Sequence, residues 1–180
     1  MSEYAQNFIA HLERLYDRDR GALAVLRRSL GFAPGTYVPA YPYVERFVAA
    51  ERHAQDASRL ALYLVAGLYA ANPRQAEQSL ATSLGGLMRL RDSASIEQRF
   101  IALLGADAEN LAFYLRQIIS LLAAGDQPLD YSALLQDVSL WLNTRIDSER
   151  RDAVRQRWAR DFYRALTVSG SEKTPISAND

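Results

Sequence analysis

Of the 21 basic residues in this 180-residue chain, only Lys173 is lysine, so the cationic chemistry on offer is almost wholly guanidinium. A guanidinium presents a planar fork of donors that grips phosphates and carboxylates in pairs and stacks on aromatic rings, which a lysine ammonium does not. The arginines are concentrated locally, because acids and bases balance to a formal net charge of zero. Seven of them (Arg145, Arg150, Arg151, Arg155, Arg157, Arg160 and Arg164) fall within one stretch that carries four acids, Asp147, Glu149, Asp152 and Asp161. On a helix, Arg150, Arg157 and Arg164 stand seven residues apart and form a row about 21 Å long, with Arg160 beside it, a length that matches several phosphates of an extended strand. Two plainer readings stay open. A GC-rich genome would also favour arginine codons, and the row could be a solvated face in which Asp161 pairs with Arg157 and Arg164 at i±3 or i±4.

Other chemistries are poorly supplied. There is no cysteine, hence no disulfide, thiol nucleophile or thiolate metal site. The two histidines, His11 and His53, have no metal-binding spacing, so no metal or cofactor is expected. Carboxylates fall where helices begin (Asp19, Asp107, Asp130, Asp147), and capping explains them without catalysis. No phosphate loop, dinucleotide fingerprint or nucleophile elbow is present, and the chain is read as not an enzyme. The N-terminal stretch lacks a basic segment followed by an apolar run, and no later run approaches a membrane span, so a cytoplasmic protein without a membrane partner is expected.

The elements that must position the arginines read as helices throughout, and the fold class expected is all-α, two packed helical halves with a disordered tail. Helical spacing predicts a first helix over about 3–17, with Tyr4, Phe8, Leu12, Leu15 and Tyr16 on its apolar face, and a second from an Asp19 cap to Gly31. The stretch from Gly31 to Pro42 holds three prolines and two glycines and must be a connection. Its aromatics, Phe32, Tyr37, Tyr41 and Tyr43, are expected to pin it onto the core. Further helices are expected over about 44–50, 54–71 and 75–91, the last containing Gly85-Gly86, where the helix breaks or another backbone comes close. After a polar break at Asp92-Ser95 come helices over 96–104, from Asp107 to Gly125, from Asp130 through Trp141, and from Asp147 to about Leu166. The halves are divided as residues 1–92 and 93–167, with 168–180 as the tail.

Taken in order, RGALAVLRRSLG (Arg20 to Gly31), SLGGLMRLRD (Ser83 to Asp92), SIEQRFIALLGAD (Ser95 to Asp107), LRQIISLL (Leu115 to Leu122), LDYSALLQDVSLW (Leu129 to Trp141) and VRQRWARDFY (Val154 to Tyr163) resemble the CasB family. That family is the small subunit of Cascade, the type I-E CRISPR surveillance complex. The resemblance implies a non-enzymatic subunit, present as two copies, packed on the large and backbone subunits and holding DNA of the R-loop, with guide RNA as a further contact. Guide pairing reads sequence in such complexes, so the protein needs only backbone contacts to hold opened strands. The positions carried across are Arg27 and Arg28, Arg99, Arg116, and Arg155, Arg157 and Arg160, with Arg89 and Arg91 beside them; Arg164 joins these nucleic-acid candidates from the row on the last helix. Some members carry a basic residue where this chain has Gly105. Replacing Arg27, Arg99, Arg116 or Arg157 by alanine is expected to spare the fold and weaken DNA retention. The rivals are a helical DNA-binding regulator, whose recognition helix is not evident, and an adaptor that contacts only proteins.

Overall fold

Among the described residues, most stretches that carry an apolar stripe at helical spacing fold as helices. The structure, a computed structural model, describes residues 2–50, 53, 55–145 and 147–167; the tail expected at 168–180 lies outside the described residues. Among the described residues there are α-helices and short 3₁₀ turns but no strand. Helix α1 is Glu3–Arg18 and α2 is Arg20–Ser29. The connection then winds through a 3₁₀ turn at Val38–Ala40, a single α-turn α3 at Tyr41–Val44 and a second 3₁₀ turn at Glu45–Phe47. Helices α4 (Ala57–Ala71), α5 (Leu80–Arg91), α6 (Ala94–Leu104), α7 (Leu111–Ala124), α8 (Tyr131–Leu142) and α9 (Ser148–Thr167) complete the fold.

Caps set several of these boundaries. The Asp19 carboxylate accepts from the Ala22 N–H at 2.9 Å, and the Asp130 carboxylate from the N–H groups of Ser132 and Ala133 at 2.9 and 3.0 Å. Each satisfies donors that a helix start leaves open. Asp107 acts one turn early: it accepts from the Asn110 N–H at 2.8 Å and orders the turn before α7. Two expected helices are corrected. The helix expected over 44–50 is only the Glu45–Phe47 turn, and the one expected from Gln75 begins at Leu80. Residues 74–78 are irregular instead, with one isolated bridge at Gln75, since their backbone pairs with residues 129–130 (Leu129 N–H to Arg74 O, 3.1 Å; Asp130 N–H to Gln78 O, 2.7 Å).

One apolar cluster runs from Ala5 on α1 to Phe162 on α9 and includes residues on both sides of Asp92-Ser95. Helix α4 is buried nearly all round and lies between α2 and α8, while α5 lies along α9. The α5/α9 crossing explains the paired glycines. A Cβ on Gly85 would stand 2.5 Å from the Phe162 carbonyl oxygen, whereas one on Gly86 would meet nothing within 4 Å, so the helix runs unbroken and the close backbone sits at Gly85 alone. Trp141 and Trp158 pack with ring centroids 5.3 Å apart, and Phe100 stacks on Phe162 at 4.2 Å. On α1 the expected face is too wide: Phe8 and Leu12 are buried, but Tyr4 and Tyr16 are exposed.

Candidate nucleic-acid interface

A guanidinium at a helix end can serve its own fold, because the last carbonyls of a neighbouring helix lack partners and carry the negative end of its dipole. Several of the sequence-selected arginines do this. Arg27 on α2 donates Nε–H to the Ala70 carbonyl of α4 at 3.2 Å. Arg89 on α5 reaches the Ala165 carbonyl of α9 at 3.2 Å, and Arg91 the Ala124 carbonyl of α7 at 2.9 Å. Arg155 on α9 donates to the Ala106 carbonyl just beyond α6 at 2.9 Å, pairs with Asp152 at 3.0 Å and lies 5.0 Å over the Trp141 ring. The Trp141 indole N–H shares that Ala106 carbonyl at 3.1 Å, so Arg155 belongs to the packing of α8 and α9 on α6.

The expected row on α9 is broken in its middle. Arg157 is ion-paired with Asp137 of α8, whose side chain is only 10% exposed and also accepts the Trp158 indole N–H at 2.7 Å. Asp161, the partner expected for Arg157 and Arg164, instead accepts the Ser79 hydroxyl at 2.9 Å. Arg160 and Arg164 stay exposed.

Arg28, Arg99, Arg116, Arg160 and Arg164 have neither a hydrogen bond nor an ion pair within the chain, among the described residues, and all five are exposed. The fold brings two of them together. Arg99 of α6 and Arg116 of α7 line one open cleft of about 460 Å³ with Phe113, Gln117, Ser120 and Leu121. Arg27 lies apart, in a cleft with Arg20, Tyr16 and Asp17. Among the described residues no acid lines the Arg99/Arg116 cleft; Glu109 lines the adjoining cleft, which it shares with Phe113 and Arg116.

Sequence reasoning missed the aromatic side of this surface. Tyr37, Tyr41 and Tyr43 pack on the core as expected, but Phe32 is 52% exposed, and Phe113, half a cleft wall, is 55% exposed. Phe113 stands three residues from Arg116 on a helix whose buried face is Leu111, Leu115, Ile118, Ile119 and Leu122. An aromatic off that stripe was the available signal. Among the described residues no three His, Cys, Asp or Glu side chains converge as metal ligands, and no helix is long and apolar enough to cross a membrane.

The all-helical fold is shared with known proteins. Residues 22–163 match the family model described as CRISPR-associated protein Cse2. A Thermus thermophilus protein described as CRISPR-associated protein Cse2 is 39% identical over 177 residues, covering 96% of this chain and 98% of its own. The crystal structure of CasB from M. ruber is 37% identical with a TM-score of 0.75, over 92% of this chain and 95% of that one. A chain of a CRISPR RNA-guided surveillance complex, 24% identical, has the same fold, with a TM-score of 0.77 over 91% and 94% of the two chains. The chain belongs to the Cse2 family of CRISPR-associated proteins.

Proposed function

We propose that this chain is a non-catalytic small subunit of an RNA-guided CRISPR surveillance complex and that its arginine face holds DNA backbone, stabilising the R-loop. Family membership supports the assignment to the complex, and its structural relatives include CasB and a chain of an RNA-guided surveillance complex. The observation that carries the DNA role is the convergence on one cleft of Arg99 and Arg116, two exposed arginines without a side-chain partner among the described residues, in a chain of zero net charge. Arg28, Arg160 and Arg164, exposed elsewhere on the surface, are further contacts in this reading; Arg27, Arg89, Arg91, Arg155 and Arg157 donate in part to the fold and serve as weaker contacts. In an R-loop the guide supplies base recognition, and strand exchange is nearly balanced, so modest backbone contacts suffice to shift it. A second copy of the chain, the large and backbone subunits and the guide RNA are the partners in this reading. Exposed Leu90 and Ile101 supply apolar contacts for protein neighbours.

The purified full chain tests the electrostatic part. Its affinity for single-stranded oligonucleotides should fall with salt at a log-log slope of about −0.7 per phosphate contact, whatever the base sequence. A salt-independent affinity, or strong preference for one duplex sequence, contradicts the reading.

A further inference from the structure

Aromatic rings lie open beside the unpaired arginines. Phe32 stacks on Tyr37 with centroids 4.6 Å apart and planes 25° from parallel, yet is itself half exposed. Phe113 is held edge-on by Tyr114 at 5.3 Å. Phe32, Tyr37, Phe113 and Arg116 line a cleft of about 240 Å³ between the Gly31–Tyr37 connection and α7, with Glu109 at its wall. Phe113 and Arg116 also line the larger cleft that holds Arg99. One helical turn apart on α7, these two side chains form the ridge between both clefts.

This juxtaposition has a chemical meaning that the arginines alone do not. A phosphate-binding patch needs only cations, and exposed rings add nothing to it. A protein seat would use the rings, but would leave Arg99 and Arg116 as desolvated charges unless the partner supplied carboxylates. An unpaired nucleic-acid strand uses both: its bases stack on rings while its phosphates meet guanidiniums a few ångströms away. In a duplex the base faces are covered, so only a single strand can exploit the rings.

We propose that Phe113 and the Phe32–Tyr37 ring pair form a stacking platform for unpaired bases, with Arg99 and Arg116 holding the adjoining phosphates, so that this face selects single-stranded nucleic acid over duplex. The proposal rests on the DNA-holding reading above and adds base contact to it. Arg116 faces both clefts and serves the phosphate between a base on Phe113 and a base on the Phe32–Tyr37 pair.

The test compares, by fluorescence anisotropy with the purified full chain, an oligothymidine of about 15 nucleotides with an abasic oligomer carrying the same phosphates. The thymidine strand should bind roughly 5- to 100-fold more tightly, the contribution of one or two stacked bases. Phe113→Ala should remove most of that difference, and Phe113→Tyr should restore it. Arg116→Ala should weaken both oligomers alike and flatten the salt slope by about 0.7. Equal wild-type affinity for the two oligomers overturns the stacking platform and leaves the electrostatic reading standing. Absence of binding to either overturns both. A Phe113→Ala chain that binds both oligomers as wild type does, but no longer joins the complex, makes this face a protein seat and also overturns the proposal.

Discussion

Arg157 on α9 ion-pairs with Asp137, twenty residues earlier on α8, and so an arginine that the sequence assigns to a contact face is spent in part on the fold. The carboxylate is nearly buried and has the Trp158 indole as its other donor, so losing the guanidinium leaves a charge with one hydrogen bond in a poorly solvated place. Arg157 is itself about half exposed, and water screens the pair, which places the cost well below that of a fully buried one. The alanine substitution at Arg157 is therefore expected to destabilise, against the expectation from sequence that it spares the fold.

The first prediction follows from that pair. Arg157→Ala should cost about 1–2 kcal/mol, lowering the melting temperature by roughly 2–8 °C, while Arg99→Ala and Arg116→Ala stay within about 0.5 kcal/mol. Differential scanning calorimetry of the variants checks it. Equal melting temperatures for Arg157→Ala and Arg116→Ala would mean that the Asp137 pair contributes nothing.

The second concerns the α5/α9 crossing. Gly85→Ala puts a methyl 2.5 Å from the Phe162 carbonyl oxygen and 2.9 Å from the Ala165 Cβ, neither of which can step aside without moving α9. A loss of about 1–3 kcal/mol is expected. Gly86→Ala, one residue on and facing open space, should instead gain about 0.5–1 kcal/mol from helix propensity. Urea midpoints of the two variants should move in opposite directions.

The third is a pH dependence at His11. Its ring is buried, its Nε2 hydrogen-bonds the Tyr43 carbonyl at 2.9 Å, and the Arg46 guanidinium lies against the ring within reach of both its nitrogens. Burial is the largest effect and lowers its pKa below 6.5; the Tyr43 carbonyl opposes this, while the charges of Arg46 and Arg14 add to it. A depressed histidine pKa means that the unfolded chain binds the proton more readily. The stability due to neutral His11 is thus full above about pH 6.5 and is lost as pH falls below it. Between pH 7.5 and 5 the wild type should lose more stability than His11→Gln, read as the difference in denaturation midpoints; parallel losses would remove His11 from the account.

The caps show how far sequence alone reaches. Asp19 and Asp130 sit directly before apolar runs, and their local hydrogen bonds are encoded within three residues. What the sequence hides is nonlocal. Gln75–Gln78 has helical character, yet its backbone pairs with residues more than fifty positions away, and that pairing displaces the helix start to Leu80. The same holds for the arginines: Arg27 finds Ala70 and Arg89 finds Ala165 only after the helices dock, so spacing could not separate them from Arg99 and Arg116. The one legible clue to the open face was Phe113, an aromatic off the buried stripe of α7.

The central claim is that Arg99 and Arg116 hold opened DNA, and the lifetime of the R-loop tests it most directly. The complex would be rebuilt with the Arg99→Ala/Arg116→Ala chain, its subunit content verified, and dissociation of a matched target followed at about 0.15 M salt. Loss of two phosphate contacts predicts normal assembly with an R-loop lifetime shortened by about tenfold or more, and a smaller deficit at low salt where electrostatic contacts elsewhere compensate. A fully assembled double variant that keeps its target as long as wild type would show this arginine pair to be an ordinary solvated surface.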